Sequence, residues 1–155
     1  RENIAVGQID AIDDQSRIVQ AAEMSLADSV VAGLESGLDH MLGRRFTGGA
    51  NLSGGEWQKI GLARAYVRDA QILILDEPTA ALDARAEYQV FERFSELTDG
   101  RMAVLISHRF STVRMADRIV VLEKGMVIED GTHDDLLLLS GRYAELFTLQ
   151  AAGYR

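Results

Sequence analysis

Apolar residues along this chain change rhythm near residue 70. Before it they recur at helical spacings; after it the first strong signal is the unbroken run Ile72-Leu73-Ile74-Leu75. Residues 1–10 carry Ile4, Val6 and Ile9 with little periodicity and read as the tail of a connection. A helix is predicted from Asp13 or Asp14, with Ile18, Val19, Ala22 and Met24 on its apolar side. A second is predicted over 28–34, with Val30, Val31 and Leu34. Gly33 and Gly37 interrupt that pattern, 38–42 offers one more turn, and 44–52, with Gly48-Gly49, is a loop. The next helix opens at about Gly54. Ser53 and Glu56 have the S-x-x-E spacing of a capping box. In such a box the serine hydroxyl accepts from the glutamate amide, and the carboxylate accepts from the serine amide. Trp57, Ile60, Leu62, Ala63 and Tyr66 follow, and the helix gives out near Arg68-Asp69.

The run 72–75 is the pattern of a strand buried on both faces. Residues 82–97 then read as a helix, with Tyr88, Phe91, Phe94 and Leu97 spaced at threes, Val90 beside them and Asp99-Gly100 at its end. Ala103-Val104-Leu105-Ile106 is a second buried strand. Strand, helix and strand make a crossover unit, hence a parallel pair with a right-handed connection. A short helix is predicted near 112–116. Residues 118–122 and 126–129 flank Glu123-Lys124-Gly125, a hairpin signal. Thr132 can cap a helix through 136–139, and Tyr143, Leu146, Phe147 and Gln150 suit a last one. The fold class is therefore α/β: a helical unit over 1–68, then a parallel-sheet unit over 69–155.

Composition narrows this only a little. A chain of 155 residues holds one domain with a real core, or part of a larger one. With 47% hydrophobic and 26% charged residues it is an ordinary globular mixture. A net charge of −8 argues against non-specific nucleic-acid binding. The absence of cysteine excludes disulfides and thiolate metal sites. The longest apolar runs, 72–75 and 136–139, are far too short to cross a bilayer, and no signal peptide is visible. The chain starts at Arg1 in mid-phrase and reads as a fragment.

Candidate chemistry gathers at three places. The helix start at Ser53-Gly54-Gly55-Glu56 bears no side chains at its first positions. Bare N–H groups and the positive end of a macrodipole suit a phosphate, although an ordinary capped helix has the same look. Asp76-Glu77-Pro78 stands at the carboxyl end of the first strand, the edge of a parallel sheet where ligands bind. Adjacent carboxylates there are costly without a positive partner, so Asp76 suits Mg²⁺ as a Walker B aspartate does. Glu77 can position or polarise an attacking water, and Pro78 biases it to extended backbone. A solvated acidic turn is the plainer alternative. Ser107-His108 ends the second strand, where His108 can sit near the carboxylates and bind a terminal phosphate, or be structural. His40 and His133 have only a structural reading.

The order of these pieces is specific. Leu52-Ser53-Gly54-Gly55-Glu56, then Ile72-Leu73-Ile74-Leu75-Asp76-Glu77-Pro78, then Ala81-Leu82-Asp83, then Ile106-Ser107-His108 resembles the ATP-binding cassette family over essentially the whole chain. On that resemblance Ser53, Gly54, Gly55 and Glu56 form the signature motif. Asp76 is the Walker B aspartate that holds Mg²⁺, through water, and Glu77 the catalytic glutamate. Asp83 matches the D-loop and His108 the switch histidine. Residues 106–113, and Asp130-Gly131-Thr132-His133 with Tyr143 and Leu146-Phe147 after it, are similar to exporter-type cassettes. The implied fold is a P-loop NTPase-like core with a helical signature subdomain, the N-terminal half of the domain lying outside this chain.

The resemblance also implies partners: a second nucleotide-binding domain packed head to tail, and a transmembrane domain upstream on the same chain, at the cytoplasmic face of the membrane. ATP is then held between two cassettes, with the signature acting in trans. No nucleic acid is expected as a partner. The chain has no P-loop: its only lysines are Lys59 and Lys124, and neither follows a glycine as G-x-x-x-x-G-K-[ST] requires. Gln8 falls too late in the motif order to be the Q-loop glutamine. These 155 residues by themselves are therefore expected to be inactive. The alternative class is the cassette half of a soluble chromosome-associated or DNA-repair ATPase, or a soluble cassette acting in translation. A third reading is a folded remnant with no activity. No heptad run precedes Ser53 to favour the chromosome-associated class.

Overall fold

The computed structural model describes residues 1–98 and 100–153, which form two compact units, Arg1–Val104 and Leu105–Arg155. The first unit contains α1 (Glu2–Ala5), α2 (Gln15–Met24), α3 (Asp28–Ala32), α4 (Gly54–Val67), β1 (Ile72–Asp76), α5 (Ala84–Thr98) and the start of β2 (Met102–Ile106). Asp14 starts α2, its carboxylate accepting from the Arg17 amide at 3.1 Å and the Ser16 hydroxyl at 2.8 Å. Ile18, Ala21 and Ala22 of α2 pack with Ile60, Ala63 and Val67 of α4 in one apolar cluster.

Three local expectations need correction. The opening residues are not a structureless connection: α1 buries Ile4 and Ala5, and a 3-10 turn follows at Ile9–Ala11. Four residues cannot display a helical period, so contact with α4 organises this segment. The Asn3 carbonyl accepts from Arg64 Nε at 2.7 Å, and a Cβ on Gly7 would stand 2.2 Å from the Arg64 carbonyl oxygen. The extra turn expected over 38–42 is a 3-10 turn at Gly37–Asp39. In α5, Val90, Phe91, Phe94 and Leu97 are buried, but Tyr88 faces outward and is 64% exposed. Gly100 follows with φ +67°, a left-handed stop open to glycine; Asp99, expected to share that role, lies outside the described residues.

β1 and β2 pair in a two-stranded parallel sheet, as a strand–helix–strand crossover requires. The Met102 amide donates to the Gln71 carbonyl at 3.0 Å. The expectation of strands buried on both faces fails for β1, whose burial alternates: Leu73 and Leu75 are inside, Ile72 and Ile74 are 57% and 71% exposed. Met102 and Val104 of β2 are exposed as well. An unbroken apolar run says that both faces suit burial; the described residues bury one face of β1 and no residue of β2.

The second unit holds α6 (Phe110–Val113), β3 (Ile119–Glu123), β4 (Met126–Gly131), α7 (His133–Leu139) and α8 (Arg142–Gly153). The predicted hairpin is present, with Glu123 opposite Met126 and both Lys124 and Gly125 at positive φ, 50° and 77°. That is the two-residue turn that matches strand twist. Thr132 caps α7 through a capping box with Asp135. The Glu129 carboxylate caps α8, accepting from the Arg142 and Tyr143 amides. The short helix expected at 112–116 begins earlier, at Phe110, where Phe110 and Val113 pack against Ile119, Leu136 and Tyr143.

Candidate functional site

The capping box at Ser53 is formed on both sides. The Ser53 amide donates to the Glu56 carboxylate at 2.7 Å, and the Glu56 amide donates to Ser53 Oγ at 3.3 Å. The bond from the Ser53 amide, and then that from its hydroxyl, hold the Glu56 carboxyl below its usual pKa. Gly54 and Gly55 occupy the first two helical positions, where an α-helix has no internal acceptor for its N–H groups. Ser53 and Gly54 are exposed. The hydroxyl proton of Ser53 is free to rotate, toward Glu56 or outward to an anion. This end of α4 is therefore an outward-facing donor set.

The two glycines differ in what they touch. A Cβ on Gly55 would meet the Ala81 carbonyl oxygen at 2.7 Å, whereas one on Gly54 meets only Ala81 Cβ at 3.7 Å. The α4 start thus lies directly on the segment between β1 and α5. Gly55→Ala is expected to destabilise the fold by about 1–3 kcal/mol through that overlap. Gly54→Ala is expected to be neutral or slightly stabilising, because alanine is the better helix former. Denaturant unfolding of both variants checks this; equal effects would contradict the close approach at Gly55.

Asp76 closes β1 and is exposed; Glu77 follows, half-buried. The residue before a proline is expected to be extended, but Glu77 has φ +47°. The correction has a local cause. Residues 77–80 form a tight turn with Pro78 second, and the Glu77 carbonyl accepts from the Ala80 amide at 3.2 Å. A left-handed conformation costs a non-glycine residue roughly 1–2 kcal/mol, so neighbours must hold it. Gln58 of α4 supplies the hold: its Nε2 donates to the Glu77 carbonyl at 2.7 Å, and its Oε1 accepts from the Ala81 amide at 2.7 Å. Sequence reasoning passes over Gln58; the available signal is a polar residue set between Trp57 and Ile60 on a packed helix. Pro78 and Thr79 are buried beneath the turn.

Asp83 is not inside a helix beginning at residue 82. It is exposed and precedes α5, where its Oδ1 accepts from the Arg85 and Ala86 amides at 3.0 and 2.8 Å. Its carboxylate is thus committed to the helix start. The signature residues, the Asp76–Glu77 strand end and Asp83 all belong to the first unit. His108 belongs to the second, exposed at the end of β2. There its carbonyl accepts from Gln150 Nε2 at 3.3 Å, and the Phe110 amide donates to Gln150 Oε1 at 2.9 Å. His133, read from the sequence as structural, has its Nδ1 2.7 Å from the Tyr143 hydroxyl.

A donor-rich helix start locked onto a strand that ends in two carboxylates is the arrangement to compare with known proteins. The family model described as ABC transporter matches residues 3–80, half of the chain. The chain belongs to the ABC transporter family. An ATP-dependent lipid A-core flippase from Acinetobacter baylyi is 46% identical over 146 residues, covering 94% of this chain and 25% of the flippase. The subtilin transport ATP-binding protein SpaT of Bacillus subtilis is 40% identical over 146 residues, 94% of this chain and 24% of that protein. A bacterial Atm1-family ABC exporter solved with ATP bound is 37% identical, with TM-score 0.85 over 96% of this chain and 25% of that one. The chain spans about a quarter of the length of these relatives. Among the described residues of this ABC-family chain, no helix is long and apolar enough to cross a membrane.

Proposed function

We propose that this chain is part of the ATP-hydrolysing nucleotide-binding domain of an ABC exporter. The observation that carries the reading is the closed capping box at Ser53, joined to the Asp76–Glu77 strand end, on a chain that superposes on an exporter with ATP bound. The functional division falls between 1–68, the helical signature subdomain, and 69–155, the second half of the catalytic core. The relatives named above are transporters, which favours an exporter over a chromosome-associated or repair ATPase.

In this reading two nucleotide-binding domains pack head to tail and hold ATP between them. Ser53 Oγ–H and the amides of Gly54 and Gly55 donate to the γ-phosphate held by the opposite domain, and Glu56 keeps that helix start in place. Glu77 orients and polarises the attacking water, and His108 donates to the terminal phosphate. Asp83, at the head of α5, lines the same interface. Electrostatic positioning of this kind does most of the work in phosphoryl transfer. Among the described residues no group of three or more His, Asp or Glu side chains is set to hold a metal. A single exposed carboxylate, Asp76, nevertheless fits Mg²⁺, which keeps several waters and takes its other ligands from phosphates. When bound, that ion would neutralise phosphate charge.

The remaining parts are a P-loop and Q-loop upstream, and a transmembrane domain upstream on the same polypeptide, which places this domain at the cytoplasmic face of the membrane. ATP binding closes the domain pair, and phosphate release reopens it, moving the helical subdomain against its membrane partner. The test compares the full-length protein with these 155 residues alone. Phosphate release from ATP is expected of the first and absent from the second, which has no P-loop lysine. ATPase activity of the 155 residues, abolished by Glu77→Gln, would overturn that division of labour.

A further inference from the structure

We propose that Gln58 is a positioning residue for Glu77, fixing the backbone from which the water-polarising carboxylate projects. That role presupposes the proposed function of Glu77. Gln58 uses both ends of its side-chain amide. Nε2 donates to the Glu77 carbonyl and Oε1 accepts from the Ala81 amide, each at 2.7 Å. Because a carbonyl can only accept and a backbone amide can only donate, the two partners fix which way the Gln58 amide is turned.

The clamp sits where it has something to hold. Glu77 has φ +47°, a conformation that side-chain-bearing residues keep only under outside constraint. The direction of its Cα–Cβ bond follows from that backbone, so the carboxylate is aimed by whatever holds the peptide. Within the loop the Ala80 amide holds the Glu77 carbonyl at 3.2 Å. Gln58 takes the same carbonyl from the α4 side and grips the far end of the turn at Ala81. Gly55 completes the contact, because the Ala81 carbonyl oxygen lies where its Cβ would be, at 2.7 Å. The segment 77–81 is thereby tied to α4 at both of its ends. No shorter or singly functional side chain reproduces this: leucine fills the space without bonds, and an ionised glutamate accepts but cannot donate.

The test uses the full-length protein and reads kcat and KM for MgATP with the thermal midpoint. Gln58→Leu is expected to lower kcat about tenfold or more, as a misaimed catalytic group does, with KM changed less than about twofold. Gln58→Glu is expected to show the same loss across neutral pH, because a glutamate there is ionised and accepts without donating. If the leucine variant fails to fold, the near-isosteric glutamate variant decides, read as a fall in kcat with KM and thermal midpoint close to the parent. Parent-like kcat in both variants overturns the clamp. Glu77→Gln is run beside them: its inactivity with parent-like Gln58 variants overturns the clamp alone, whereas full turnover in Glu77→Gln overturns the Glu77 reading as well.

Discussion

Glu77→Gln in the full-length protein is expected to slow ATP turnover by about 10²–10⁴-fold, the range over which a positioned general base contributes. Nucleotide binding should survive. Glutamine keeps the length and shape of the side chain, and the Glu77 backbone carbonyl that Gln58 and Ala80 hold is untouched by the substitution. What the substitution takes away is the carboxylate charge. It also removes one negative group from beside a triphosphate, which should lengthen the life of the ATP-bound pair. Phosphate release measures the first effect, and nucleotide retained through gel filtration measures the second. Unchanged turnover would remove Glu77 from the chemistry.

Ser53→Arg is expected to abolish ATP-driven dimer closure and to lower turnover by at least about 10²-fold, the typical cost of losing one donor to a developing oxyanion. Two consequences of the change must be separated. A side chain such as alanine or arginine, which has no capping oxygen, costs about 1 kcal/mol at this helix start. Arginine adds a long side chain at an exposed position which, in the proposed reading, faces another domain. Ser53→Ala carries the first cost without the second, so it should match the arginine variant in thermal stability and exceed it in turnover and closure. Cross-linking or light scattering with and without ATP reads closure. ATP-driven dimerisation of Ser53→Arg at the parent level would count against a role in trans.

The elements that depend on local chemistry were legible from sequence. The Ser53 and Thr132 caps, the Asp14 start and the Lys124-Gly125 turn each carry their own signal, and each is formed. What escaped depends on residues far apart in sequence. α1 is helical because Arg64 and the α4 surface receive it, and no period within residues 1–10 announces that. Apolar runs at β1 and β2 indicated burial on two faces, but burial depends on what lies opposite, and Ile72 and Ile74 remain exposed. The candidate site was read as an order of motifs. Its internal geometry was not: Asp83 is a cap before α5, and Glu77 is left-handed although the following proline argued for extended backbone. The Glu77 turn is held on the α4 side by Gln58, a residue with no motif of its own in the sequence.

The most direct test of the central claim is nucleotide retention by two full-length proteins, Glu77→Gln and Glu77→Gln combined with Ser53→Arg. If Glu77 drives hydrolysis while Ser53 completes a site held by another domain, the single variant retains ATP as a dimer. The double variant elutes without nucleotide and without ATP-driven dimer. Equal retention of ATP by dimers of both proteins would contradict the account.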